Sequence, residues 1–208
     1  YFNRLEDSEE IVSSLAQTYF KKNFHDEAIE LFSLMLKEKP NDVEILQKCA
    51  YCYQCKKDFT TALDLYLRSD IIHPDNLWTL QRIGVCYRSL KEPEKALEFY
   101  THAEMLSPDD LLISLNIGYC LLELKRYNDA LQNFFKIEYL SSDSRKVWRP
   151  IAWCSFVVGK LSQAEKYYNK ILEAERDGQD WLNMGHVALC EGNRKEALAR
   201  YRKSFIAM

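Results

Sequence analysis

Small residues recur along the chain with a period of about 34 residues, and an alanine and then an aromatic residue follow each of them at fixed distances. The small residues are Ala16, Ala50, Gly84, Gly118, Ala152 and Gly185. The alanines are Ala28, Ala62, Ala96, Ala130, Ala164 and Ala197, and the aromatic residues are Phe32, Tyr66, Tyr100, Phe134, Tyr168 and Tyr201. Six occurrences of one pattern predict six copies of one structural unit.

Apolar residues within each copy stand three or four residues apart, which is the spacing of one face of an α-helix. The pattern predicts two helices per copy. The first helices are expected near residues 9–22, 43–56, 77–90, 111–124, 145–158 and 178–191. The second helices are expected near residues 25–38, 59–72, 93–106, 127–140, 161–174 and 194–207. A small residue lets the two helices approach closely, and the aromatic residue fills the space that it leaves.

Residues that favour helix ends support these bounds. Asp58, Asn128 and Ser162 are good N-caps for second helices. Gly159 and Gly192 suit the ends of first helices, where a residue with positive φ is common.

Pro150 lies inside the predicted first helix of the fifth copy. Proline has no backbone N–H, so it removes the helical hydrogen bond to the carbonyl of Lys146. We therefore expect Pro150 to kink this helix or to delay its start.

The tetratricopeptide repeat has the same period and the same order of small residue, tyrosine, alanine, aromatic residue and proline, and the chain resembles it most closely in its third copy. That copy contains Leu80, Ile83, Gly84, Tyr87, Ala96, Tyr100 and Pro108. The resemblance covers residues 9–208 and implies an all-α solenoid, a right-handed superhelix of about six helix-turn-helix repeats with a concave face. Residues 1–8 are expected to form an N-terminal tail or the end of a preceding helix. The repeats are expected near residues 9–42, 43–76, 77–110, 111–144, 145–177 and 178–208.

Charge and composition argue against several function classes. The net charge is −3 and the isoelectric point is about 5.9, so we expect no nucleic-acid partner, including RNA bound by a helical-repeat protein. No apolar run approaches the roughly 20 residues that span a bilayer, so we expect no membrane insertion. Because the sequence begins with Tyr1 and its last helix has no polar capping helix, we expect it to belong to a longer protein.

The chain contains seven cysteines, and three of them form a C-x2-C-x2-C run at Cys49, Cys52 and Cys55. A regular helix offers no fourth metal ligand beside such a run. A second pattern explains the cysteines better, because one cysteine occupies the same repeat position in four successive copies. These are Cys52, Cys86, Cys120 and Cys154. We expect them to be small buried apolar residues and expect no metal or cofactor, and the odd number of cysteines favours a cytoplasmic protein.

The resemblance implies that a partner binds to the concave face of the first helices. In the third to fifth copies this face becomes aromatic and aliphatic with two cations beside it, and aromatic and arginine side chains dominate binding hot spots. The candidate peptide-binding groove consists of Trp78, Leu112, Leu115, Asn116, Tyr119, Lys146, Arg149 and Trp153. The mixture favours an amphipathic partner segment with acidic residues. The alternative is that these side chains pack inside the superhelix.

Some tetratricopeptide-repeat domains hold the C-terminal carboxylate of chaperones in a clamp of five polar residues. Asn116 and Lys146 fall on two of the clamp positions. Gln81, Val85 and Pro150 occupy the other three. Without those polar and charged groups the clamp loses charge-assisted hydrogen bonds, so we do not expect this binding mode.

Together the patterns predict a protein–protein interaction scaffold or adaptor that binds a peptide or helix segment in its concave groove. The sequence contains no phosphate-binding loop and no G-x-S-x-G nucleophile motif, so we expect no catalytic residues and no enzyme activity. The alternative is a regulatory repeat segment of a larger enzyme or sensor whose catalytic part lies outside this chain. The sequence leaves the partner's identity and the oligomeric state open.

Overall fold

The computed structural model describes residues 2–175 and 177–207, and it describes side chains from residue 9 onward. Tyr1, Arg176 and Met208, which the predicted ranges include, lie outside the described residues. Within that part of the chain there are twelve helices and no strand. They are α1 (Phe2–Lys21), α2 (His25–Glu38), α3 (Val43–Cys55), α4 (Phe59–Ile72), α5 (Leu77–Ser89), α6 (Pro93–Leu106), α7 (Leu111–Glu123), α8 (Tyr127–Leu140), α9 (Arg145–Val157), α10 (Leu161–Ala174), α11 (Gly178–Cys190) and α12 (Arg194–Ala207).

The helices divide into two compact units, Tyr1–Pro108 and Asp109–Met208. In the first unit consecutive helices from α1 to α6 pack against one another, and in the second unit consecutive helices from α7 to α12 do the same. Such nearest-neighbour packing of helix pairs is typical of an α-solenoid. The all-α solenoid predicted from the repeat pattern is therefore confirmed.

Most helix bounds agree with the sequence pattern. The second helices begin and end where the pattern places them, and the first helices from α3 onward end about one residue earlier. The main difference is α1, which begins at Phe2 rather than near residue 9.

The close approach of paired helices depends on the small residues of the repeat. A Cβ added at Gly84 would stand 2.6 Å from Cζ of Tyr100, and one at Gly118 would stand 2.5 Å from Cε1 of Phe134. The ring of Tyr201 crowds Gly185 in the same way. The aromatic ring of the second helix therefore occupies the space above the small residue, as predicted.

The helix ends agree with the predictions only in part. Asp58 is the N-cap of α4, and its side chain accepts a hydrogen bond of 3.1 Å from the Thr61 N–H. The predictions for Asn128 and Ser162 were wrong, because α8 and α10 begin one residue before them. Glycines follow α9 and α11 with positive φ values, as expected: 79° at Gly159 and 81° at Gly192.

Of the two effects predicted for Pro150, a delayed start of its helix is excluded, and a kink stays a prediction. Helix α9 runs from Arg145 to Val157 through Pro150, so the proline does not delay the start of the helix. The carbonyl of Lys146 lacks its helical donor, but Lys146 is exposed and water can satisfy that carbonyl.

The four cysteines of the repeat pattern, Cys52, Cys86, Cys120 and Cys154, are all 0% exposed, which confirms that they are buried in the helix packing. Two other cysteines, Cys55 and Cys190, are exposed. Among the described residues, no helix is both long enough and apolar enough to cross a membrane.

Candidate protein-binding faces

In the second unit, α7 presents four of the candidate residues on one side. Leu112 is 58% exposed, and Leu115, Asn116 and Tyr119 are half-buried. The spacing of three and four residues places them on one helix face, and the opposite face is buried in the core. An exposed leucine beside an aromatic ring gives α7 an apolar surface that faces solvent.

Two local contacts order this surface of α7. The Asn116 side-chain amide donates a hydrogen bond of 2.9 Å to the carbonyl of Leu112. The ring of Tyr119 meets the fully buried ring of Phe134 edge to face, with 5.8 Å between the ring centroids. Because the core holds one edge of Tyr119, a partner that contacts this side chain meets a ring that is already ordered.

Helix α9 contributes the other three candidate residues of the second unit. Lys146, Arg149 and Trp153 are exposed, and Trp153 keeps 41% of its surface open. The Trp153 ring lies 6.0 Å from the ring of Phe156. Helix α9 therefore carries a large aromatic surface together with two cations.

Arg149 has carboxylate partners that the sequence pattern did not indicate. Its Nε and Nη2 atoms both donate to Oδ2 of Asp180 at 3.0 Å, and Nη2 also donates to Glu175 at 2.9 Å. The hydrogen bonds to Asp180 are the main cause that raises the pKa of Arg149. Since Asp180 is buried, Arg149 joins α9 to α11, and an acidic partner would have to compete with these carboxylates.

Trp78, the eighth candidate residue, lies on α5 in the first unit, with 39% of its surface exposed. Its ring lies 5.7 Å from Tyr66 and 6.4 Å from Tyr51. The guanidinium carbon of Arg82 lies 5.3 Å from the Trp78 ring centroid and 5.5 Å from the Tyr51 centroid. We call Tyr51, Trp78 and Arg82 the aromatic–arginine cluster. Each unit thus has its own candidate face, and one continuous groove through all eight residues stays a prediction.

A hydrogen bond with the Cys55 thiol raises the pKa of Tyr51, and the charge of Arg82 acts in the opposite direction. Neither Tyr51 nor Arg82 was among the candidate groove residues predicted from the sequence. The sequence contained one signal for Arg82, because Lys48 places a cation at the same repeat position in the preceding copy.

The first unit also contains a cavity of about 760 Å³ between α1, α2 and α3. Ser13 and Gln17 line it from α1, Leu34 and Met35 from α2, and Lys48 from α3. An ion pair of 2.8 Å between Lys39 and Glu9 lies at its edge. The sequence pattern did not single out this cavity, because side chains from three helices form it together.

Residues 79–110 match a family model described as the tetratricopeptide repeat. This range falls on the third copy, where the sequence resemblance is closest. No curated protein matched the chain in a sequence comparison.

Solved structures share the fold at low sequence identity. A tetratricopeptide repeat protein from Parabacteroides merdae has a TM-score of 0.80 and 21% identity over 97% of this chain and 80% of that chain. YrrB, described as a TPR protein with an unusual peptide-binding site, has a TM-score of 0.74 and 17% identity over 87% of this chain and 94% of its own. PilW, a type IV pilus biogenesis factor, has a TM-score of 0.68 and 20% identity over 93% and 90%. At these identities the structures establish the fold.

Proposed function

We propose that this tetratricopeptide-repeat protein is a protein–protein interaction scaffold that binds a peptide or helix segment of another protein to the face of its first helices. The observation that carries the proposal is the exposure of large apolar side chains on that face, Leu112 on α7 and Trp153 on α9. Exposed apolar patches of this kind mark interaction sites in soluble proteins.

The polar residues of the face support the same proposal. Lys146 is exposed on the helix that carries Trp153, and Asn116 lies between Leu112 and Tyr119 on α7. An apolar centre with polar and charged groups at its rim is the usual composition of a protein interface. The proposed partner segment is therefore amphipathic, with acidic residues that approach Lys146.

The fold gives a second line of support. Helical-repeat solenoids generally act as non-catalytic binding scaffolds, and they use extended faces of stacked helices for that purpose. YrrB, a structural neighbour, is described as having a peptide-binding site. We further propose that the protein is cytoplasmic, because its seven cysteines are free thiols and such thiols persist in a reducing compartment.

The test uses peptides selected from a random library by binding to this chain, and compares three variants. Trp153→Ala alone and together with Tyr119→Ala should weaken binding of a selected peptide by more than about 1 kcal/mol per residue. Trp153→Ala is measured alone because Tyr119 packs on the core ring of Phe134. Tyr139→Ala is the matched control, since Tyr139 is 89% exposed on the second helix α8.

Circular dichroism of each variant separates binding from folding. If Trp153→Ala unfolds the chain, this tryptophan belongs to the core and the proposed face is wrong. If both variants fold and bind as tightly as the Tyr139→Ala control, the face of α7 and α9 does not bind the peptide.

A further inference from the structure

We propose that Arg82 binds the side-chain carboxylates of Asp or Glu in the partner segment, so that the aromatic–arginine cluster selects an acidic residue next to apolar ones. The inference rests on the proposed function, because it names the chemistry of the segment that the scaffold binds. It concerns the first unit alone.

The guanidinium of Arg82 is held in place by aromatic rings from two successive first helices. It stands over Trp78 of the same helix and over Tyr51 of α3. The rings are themselves supported, since Tyr66, which is 0% exposed, packs edge to face on Trp78, and Phe20 packs on Tyr51 at 5.7 Å. A side chain ordered in this way loses little conformational entropy when it binds a ligand.

The N–H groups of Arg82 have no protein acceptor among the described residues. Four other arginines in that part of the chain each pair with a carboxylate. They are Arg126, Arg145, Arg149 and Arg200. Rings contact the face of a guanidinium, whereas its five N–H groups point outward in its plane. The neighbouring rings thus orient the Arg82 guanidinium, and its N–H groups can donate two parallel hydrogen bonds to one carboxylate.

The charges of the neighbouring helices favour the same ligand. Helix α5 carries no acidic residue, and the one carboxylate of α3, Glu44, pairs with Lys48 at 2.5 Å. Together α3 and α5 carry Lys48, Arg82 and Arg88 against Glu44, so these two helices have a net positive charge in a chain whose total is −3. An acidic segment matches this surface, and the exposed Trp78 provides apolar contact beside the charge.

The experiment begins with a random peptide library displayed between two flanking domains, so that no peptide has a free C-terminus. The library is selected on the full chain and on Arg82→Gln. We expect peptides from the native chain to contain Asp or Glu beside apolar residues more often than the starting library does. We expect this excess to fall on Arg82→Gln, because peptides that bind to the aromatic–arginine cluster lose the group that binds their carboxylate, whereas peptides that bind near Lys146 remain.

Fluorescence anisotropy with one enriched peptide, synthesised with an amidated C-terminus, gives the size of the effect. Arg82→Gln should weaken binding by about tenfold or more, the effect of losing a charge-assisted hydrogen bond. Replacing the acidic residue of the peptide with its amide should weaken binding to the native chain equally and have no further effect on Arg82→Gln. Arg202→Gln, which removes an exposed arginine from α12, is the charge-matched control and should bind like the native chain.

Arg82→Lys keeps the charge and the aliphatic stem but lacks the planar fork, so it should bind with reduced affinity. It also serves as the test variant if Arg82→Gln fails to fold. Peptides without an acidic excess, or an acidic excess of the same size on Arg82→Gln as on the native chain, would overturn the role of Arg82 and leave the scaffold function intact. No enriched peptide from either protein would instead contradict the proposed function itself.

Discussion

Gly118 lies directly under the ring of Phe134, and we predict that Gly118→Ala destabilises the protein although alanine forms helices better than glycine. A Cβ at this position would stand 2.5 Å from Cε1 and 2.7 Å from Cζ of Phe134, whereas ordinary contacts of this kind are 3.4–4 Å. Phe134 is 0% exposed, so its ring cannot withdraw without displacing other core atoms.

Two opposing effects set the magnitude. The change from glycine to alanine in a helix is worth about 1 kcal/mol in favour of the variant. Overpacking a well-packed core costs about 1–3 kcal/mol. We therefore expect a net loss of about 1 kcal/mol in the free energy of unfolding, which corresponds to about 2–4 °C in Tm for a chain of this length.

Urea unfolding followed by circular dichroism measures this loss, with Ala152→Gly as the matched control. Ala152 occupies the same repeat position, is also 0% exposed, and tolerates its Cβ. Its replacement by glycine should therefore destabilise the chain by about 1 kcal/mol or more, because lower helix propensity and the loss of a buried methyl group act in the same direction. Both directions of the same exchange are then unfavourable, each for its own reason.

A double-mutant cycle with Phe134→Leu identifies the contact. If the ring causes the loss, Gly118→Ala together with Phe134→Leu should be less destabilised than the sum of the single variants by at least about 0.5 kcal/mol. A stabilised Gly118→Ala variant, or a strictly additive cycle, would refute the assignment of this ring to the space above Gly118.

Two further predictions concern thiols and charges. Under native conditions near pH 8, thiol reagents should modify Cys55 and Cys190 and should reach the other five cysteines only after unfolding. Burial raises the pKa of four of these buried thiols to about 11 or 12. Rapid modification of more than two cysteines in the native protein would contradict the packing. In urea unfolding, Asp180→Asn should destabilise the chain by about 1 kcal/mol. Arg149→Gln should lower the free energy of unfolding by more than Asp180→Asn does, because it leaves the buried Asp180 carboxylate without its main partner. An equal or smaller loss of stability in Arg149→Gln would contradict the role of this ion pair.

The sequence predicted the fold because each recurring position of the pattern has a local steric cause. Gly118 and Phe134 belong to one helix pair, and the size of one side chain dictates the size of the other. The same logic located the buried position of Cys120. Such relations act within one copy and repeat in the next, so the residue spacing alone reveals them.

The contacts of the candidate faces were less predictable because they join different copies and depend on side-chain direction. Arg82 meets Tyr51 across two copies, and Arg149 meets Asp180 in the same manner. Turn positions show a related limit. Lys57 adopts a φ of 65° at the turn position where Gly159 stands in the fifth copy, and no propensity of lysine indicates this conformation.

The central claim is that the first helices bind a protein segment, and a crystal structure of the chain with a peptide selected on it tests that claim most directly. We predict that the peptide contacts Trp78 and Arg82 on α5, or Tyr119 on α7 and Trp153 on α9. A peptide that instead lies on the second helices, for example against the exposed Tyr139 of α8, would contradict the account.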